Sequence, residues 1–215
     1  MFSCAPGPLR DQSPLRPHTA AEAEPTPLPP PDTASGLPLT QTLARRRSLR
    51  QYSARELTDE EVGQLLWAAQ GITDDRGFRT APSAGATYPL ELYLATRRGL
   101  FHYRPAGHQL ARLQERDLRG DLAAAGLNQT CIRDAPAVFV VAAVYGRTSP
   151  RYGARAERYV HLEAGHACQN LLLQAEALGL GGVPVGAFED ERVARLLGLP
   201  SGETPLYLVP VGQPA

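Results

Sequence analysis

Apolar residues recur at three- and four-residue steps in two stretches of the chain and alternate or run together in several others, and these periods predict the elements. In LTDEEVGQLLWAAQG, Val62, Leu65, Leu66 and Ala69 share one helical face. Thr58 stands as N-cap, Glu61 completes a capping box, Leu57 and Val62 form a hydrophobic staple, and Gly71 ends the run. The longest helix is expected in VHLEAGHACQNLLLQAEAL, where Ala164, Cys168, Leu171, Ala175 and Leu178 keep helical step and Gly179 supplies the stop. It is apolar over much of its girth, which predicts burial in the domain centre or in a subunit interface.

Strand periods fill the space between. LELYLAT alternates Leu90, Leu92 and Leu94, and LFHYRPAGHQLARL reads as a hairpin turning at Pro105 to Gly107. AVFVVAAVY, Ala137 to Tyr145, is a Val-rich run suited to a strand covered on both faces, and LYLVPVG closes the chain as another strand. Shorter helices are expected near Leu39, stopping before Ser53, across Asp117 to Asn128, and between Asp190 and Gly198; Thr73 to Pro89 is too rich in Gly and Pro for anything but a structured loop. The sum is an α+β fold with helices around one mixed sheet. Residues 1–38 have no apolar period and are dominated by Pro and small polar residues, so they read as a flexible or extended leader, with the folded domain at 39–215. They lack the apolar core of a secretory signal, and no apolar run long enough to span a membrane follows, so the expected location is the cytoplasm.

Charge narrows the partners. The 22 basic residues balance 22 acidic ones, so bulk electrostatics recruits neither nucleic acid nor an anionic membrane, and small molecules are the expected ligands. All of the basic residues are Arg, which excludes a lysine Schiff base and a P-loop of the usual form. Cys4, Cys131 and Cys168 are too widely spaced for a zinc or redox pair. His161 and His166 miss the spacing of a helical metal pair, so no metal site is expected.

Three segments carry candidate chemistry. Arg45, Arg46, Arg47, Ser48 and Arg50 concentrate guanidinium groups whose forks match phosphate or ring-carbonyl oxygens; the same residues also suit a solvated basic face, and spacing alone leaves both open. APSAGATYP, Ala81 to Pro89, leaves backbone exposed to a flat ligand or is a plain turn. GGVPVGA, Gly181 to Ala187, offers backbone N–H groups without the spacing of a dinucleotide-binding turn. The residues themselves point to an anionic, planar ligand.

Taken together, RRSLRQYS, LTDEEVGQLLWAAQGIT, RTAPSAGATYPLELYLA, GHACQNLLLQAEALGLGGVPVGAF and LYLVPVG follow the order found in the nitroreductase superfamily, and more narrowly resemble its SagB-type dehydrogenases, which oxidise azoline rings in peptides. The resemblance covers roughly Leu39 to Gly212. It implies a nitroreductase-like fold, a homodimer with its flavin site at the interface, FMN as cofactor, and NAD(P)H or a modified peptide as hydride donor. Carried over by position, it assigns Arg46, Arg47, Ser48 and Arg50 to the flavin phosphate, ribityl chain and pyrimidine edge. It lays Pro82, Ser83, Ala84 and Gly85 over the flavin, and sets the N–H groups of Gly186 and Ala187 near N5. Arg151 and Tyr152 stand where the azoline-oxidising branch has a catalytic Lys-Tyr pair; the Tyr is kept and the Lys is not. A non-catalytic module that keeps the fold is the alternative from another class.

Overall fold

A computed structural model describes residues 24–215. Cys4 and the leader up to residue 23 lie outside the described residues. One sheet contains β1 (Thr26–Pro27), β2 (Leu90–Thr96), β3 (Gly99–Arg104), β4 (Gln109–Gln114), β5 (Ala137–Val144), β6 (Gly181–Gly182) and β7 (Glu203–Gly212), in the order β1-β4-β3-β2-β5-β7-β6. Every neighbouring pair is antiparallel. The mixed sheet expected from sequence thus reduces to one parallel contact, a single bridge between Ser48 and Gly182.

The helices are α1 (Leu39–Arg45), α2 (Asp59–Gln70), α3 (Arg119–Ala125), α4 (Thr130–Asp134), α5 (Ser149–Tyr152), α6 (Ala156–Ala177) and α7 (Asp190–Leu197). β5 is the axis of the packing, because its side chains alternate between two cores. Phe139, Val141 and Ala143 join Leu65, Leu66, Ala164 and Leu171 beneath α2 and α6. Val138, Val140 and Ala142 join Leu122, Ile132, Val193 and Leu197 beneath α3, α4 and α7. A strand with both faces covered has no polar alternation to display, which is why its sequence is a continuous apolar run.

Local signals place the ends of these elements. Thr58 Oγ1 accepts from the Glu61 N–H at 3.2 Å while Glu61 Oε2 accepts from the Thr58 N–H at 2.9 Å, the full capping box. Gly198 closes α7 at φ 65°, a left-handed position that glycine occupies without steric cost.

Three expectations change. α1 stops at Arg45 rather than near Ser53, because from Ser48 onward the backbone pairs with β6: the Leu49 N–H donates to the Gly182 carbonyl at 3.0 Å. Tertiary pairing outweighs helix propensity there. Within the composition-defined leader, residues 24–38 pack on the domain. Thr26 and Pro27 pair with β4 at the sheet edge, where a proline interrupts no ladder. The Gln64 side chain accepts from the Asp32 N–H at 2.8 Å and donates to its carbonyl at 3.0 Å. Finally, α6 is buried along one face only. Val160, Glu163, Ala164, Ala167, Cys168, Leu171 and Ala175 point inward, whereas Leu162 is 51% exposed on the opposite side.

Replacing Thr58 by Ala removes the acceptor for the Glu61 N–H, and stability falls by about 1 kcal/mol, whereas Thr58→Ser retains most of it. Urea unfolding with an unchanged m-value measures the difference.

Candidate active site

The predicted site residues fall into two clusters. The first is built where the chain leaving α1 runs beside the strap after α6. The Ser48–Gly182 bridge fixes Arg46 to Arg50 against this strap, and close approach is enforced: a Cβ on Gly181 would lie 2.7 Å from Leu49 Cδ2. Arg45, just before, pairs with Glu176 at 3.3 Å. Arg46, Arg47 and Arg50 make no ion pair among the described residues; Arg47 donates only to the carbonyls of Ala44 and Arg46, at 3.1 and 2.8 Å. That is unusual on this surface, where Arg55, Arg97, Arg98, Arg116 and Arg119 each hold a carboxylate. Further along the strap, Val185 exchanges two backbone bonds with Leu208, leaving Gly186 and Ala187 exposed just beyond. The Ala187 carbonyl accepts from Gln129 Nε2 at 3.1 Å, and the N–H groups of Gly186 and Ala187 have no acceptor among the described residues. Uncompensated guanidinium groups beside open N–H donors form a set that suits an anionic, oxygen-rich ligand.

The second cluster is the loop of Pro82 to Gly85 with α5. Gly85 sits at φ 61°, a left-handed conformation that favours glycine, and a Cβ there would meet the side-chain ends of Tyr152, hydroxyl at 2.7 Å, and Arg151, Nη1 at 2.8 Å. Arg151 Nη1 donates to the Gly85 carbonyl at 3.2 Å. Ala86 and Tyr88 are also left-handed, at φ 53° and 44°, a costly conformation for residues with side chains. The loop is held there from several sides. Ser83 Oγ accepts from the Tyr88 N–H at 2.9 Å, the Arg79 guanidinium lies 4.5 Å from the Tyr88 ring centroid, and Arg147 Nη1 donates to the Tyr88 carbonyl at 3.0 Å.

Arg151 and Tyr152 are therefore brought to the Pro82–Gly85 loop. The arginine cluster is not: the loop reaches α6 at Glu163, beside Ser83, and the arginine segment reaches it at Glu176, beside Arg45, roughly 20 Å apart at the helical rise. Among the described residues no hydrogen bond or ion pair joins them.

Sequence reasoning missed Glu163, a carboxyl in the inward stripe of α6, 3% exposed, whose Oε1 has no partner. Burial pushes it up to about 7, against smaller lowering by the Ser83 hydroxyl and the Arg79 charge. Its signal was legible: Glu163 falls in step with Val160 and Ala167 on a face that is otherwise apolar. Also missed were Arg79 and Gln70, joined by an Arg79 Nη1 to Gln70 Oε1 bond of 2.7 Å behind the loop.

A loop with left-handed Gly85, Ala86 and Tyr88, a strap with open N–H donors and a two-core antiparallel sheet make up a candidate ligand-binding site on an α+β scaffold. The model of the nitroreductase family matches residues 43–213, and the chain belongs to that family. A provisionally named nitroreductase of Methanocaldococcus jannaschii is 46% identical over 81% of this chain and 90% of its own length. The crystal structure of a provisionally named nitroreductase from Ralstonia eutropha superposes with a TM-score of 0.82 at 29% identity, covering 97% of this chain and 98% of that one. An NADPH-flavin oxidoreductase of Vibrio harveyi is 25% identical over 81% of this chain and 65% of its own length. Oxidoreductase chemistry of the nitroreductase type follows from this membership. No helix among the described residues is long and apolar enough to cross a membrane.

Glu163 also sets a pH dependence. Its folded value stands above the ordinary carboxyl value of 4.5, so its contribution to stability is fully present below about pH 4.5 and is lost as pH rises toward about 7. Relative to the parent protein, Glu163→Gln is expected to gain on the order of 1 kcal/mol near pH 8 and nothing near pH 4, after allowance for solvent screening. Urea denaturation at the two pH values checks the sign.

Proposed function

We propose that this chain is an FMN-dependent two-electron oxidoreductase that works as a homodimer in the cytoplasm, draws electrons from NAD(P)H and reduces nitroaromatic or quinone acceptors. The observation that carries this reading is the set of uncompensated Arg46, Arg47 and Arg50 beside the open N–H groups of Gly186 and Ala187. Bound FMN supplies hydride acceptance and donation at N5. The arginine forks and the Ser48 hydroxyl hold its phosphate and ribityl oxygens, while the Gly186 and Ala187 N–H groups donate to the ring edge without a group that titrates.

Two features support a dimer. The arginine cluster and the Pro82–Gly85 loop meet α6 at different stretches, beside Glu176 and Glu163, with no hydrogen bond or ion pair joining them among the described residues, and a second copy would bring one chain's arginines to the other's loop. The outward face of α6 is open to receive it: Leu162 is exposed there, and a Cβ added at Gly165 would meet nothing within 4 Å. The loop of Pro82, Ser83, Ala84 and Gly85 then closes over the flavin and excludes water from its face.

The SagB-type alternative requires a base to take the ring proton. Arg151 cannot serve, since a guanidinium keeps its proton at neutral pH, and here it is spent on the Gly85 carbonyl. Arg151 acts in this reading as a positioning residue for the loop, and Tyr152 as the hydroxyl against the loop and closest to the acceptor. This favours the reductase over azoline oxidation. A non-catalytic flavin module would keep the flavin and leave it inert.

The purified protein is expected to be yellow, to bleach anaerobically on addition of NADPH or NADH, and to elute as a dimer by light scattering. Arg46→Ala and Arg50→Ala should each weaken FMN retention by about tenfold or more, as loss of one charge-assisted contact implies. Yellow protein inert to both nicotinamides contradicts the reductase reading, and colourless protein that takes up no FMN contradicts the site.

A further inference from the structure

A cavity of about 350 Å³ lies at the C-terminal end of α2 and the start of β2, lined by Gln70, Arg79, Leu90, Glu91, Tyr103 and Arg147 among others. Its volume is at the lower end of small-molecule sites, roughly 300 Å³ and upward. Two of its walls carry donors that the fold uses only in part, the Gln70 amide and the Arg79 guanidinium. Gln70 is 1% exposed, and its Nε2 has no hydrogen-bond partner among the described residues. Its amide orientation is forced, because Arg79 can only donate and so claims Oε1 at 2.7 Å, leaving the NH2 as the orphan. Arg79 is half-buried and makes no ion pair among the described residues. The carboxylates near it are engaged elsewhere: Glu91 bonds Arg147 and His102 Nε2, the latter at 2.7 Å, and Glu163 is buried. Burial without a carboxylate partner lowers Arg79 below the usual guanidinium value. A buried amide donor without an acceptor is an uncommon cost in a native fold, and a guanidinium beside it without a counterion makes a second.

The geometry points to a binding site for a small apolar monocarboxylate in this cavity, its carboxylate received by the Arg79 guanidinium and the Gln70 amide, and its apolar body lying against Leu90 and Tyr103. A monoanion suits the Arg79 guanidinium, which has no carboxylate partner among the described residues, while Glu91 in the same wall is already paired with Arg147. A phosphate dianion would meet the Glu91 carboxylate in the same wall. Leu90 and Tyr103 are almost fully buried and supply an apolar surface that an inorganic ion would not use. Occupancy would also be felt by the loop, since Arg79 stacks on Tyr88 and Arg147 holds the Tyr88 carbonyl from the same cavity.

Calorimetric titration of the purified protein with benzoate tests this, with benzyl alcohol and inorganic phosphate as controls. Saturable benzoate binding is expected, with benzyl alcohol at least tenfold weaker, as loss of one charge-assisted contact implies, and no heat from phosphate. Gln70→Glu places a carboxylate on Arg79 from within the chain; it should leave the circular dichroism and melting profile intact while weakening benzoate at least tenfold. Arg46→Ala lies in the separate strap and should bind benzoate as the parent does, so this inference and the functional reading fail independently. No saturable benzoate binding, equal affinity for the alcohol, phosphate binding as tightly as benzoate, or a folded Gln70→Glu variant with unchanged affinity would each overturn the site.

Discussion

The packing of α6 on α2 and the sheet organises everything else in this molecule. Its inward stripe of Val160, Ala164, Ala167, Cys168, Leu171 and Ala175 is made mostly of small residues, so the helix lies close to the core and runs the length of the domain. At one end it anchors the chain before the arginine strap through Glu176 and Arg45. Toward the other, Glu163 and Asn170 face the segment that leads into the Pro82–Gly85 loop; Asn170 Nδ2 donates to the Thr80 carbonyl at 3.3 Å. The helix therefore sets the distance between the two clusters that the proposed cofactor site joins across two copies.

Charge compensation separates structural arginines from those held ready for a ligand. Surface pairs such as Arg55 with Glu61 or Arg98 with Asp59 contribute little stability, but they show that this all-arginine chain usually provides a carboxylate where a guanidinium is meant to rest. Arg46, Arg47, Arg50 and Arg79 are among the exceptions, as are Arg151, Arg155 and Arg158; Arg79 among them lies against the unpartnered Gln70 amide. The strained loop belongs to the same logic. Left-handed Ala86 and Tyr88 are maintained by Ser83, Arg79 and Arg147, and such conformations persist only where the surroundings over-determine them.

Much of the fold was legible because local rules and tertiary packing agree. The capping box at Thr58, the glycine stops at Gly71, Gly179 and Gly198, the hairpin turn at Pro105 to Gly107 and the doubly covered β5 all follow from spacing. What escaped depends on contacts between distant segments. The early end of α1 is decided by Gly182, and the docking of residues 24–38 by Gln64 and β4, neither of which has a local signature. Within one chain α6 is buried along one face, and its outward face is the one that a subunit interface would cover. Among site residues, the motif positions were readable in order, but their division into two clusters was not, since sequence order carries no distance. Glu163 and Gln70 were visible as polar residues in or beside apolar helical faces, yet only the structure shows that an oxygen of one and a nitrogen of the other are unpartnered.

The claim that the site is shared between two copies is tested most directly by hybrid complementation. An Arg46→Ala/Arg50→Ala chain and a Gly85→Val chain, each inactive alone, are mixed, unfolded, refolded together and assayed for NAD(P)H-dependent reduction. If the two clusters meet across a dimer, half of the dimers are hybrids with one intact site, and about a quarter of the parent activity returns. If both clusters serve a cofactor within one chain, every site in the mixture carries a defect, no activity returns, and the shared-site account is contradicted.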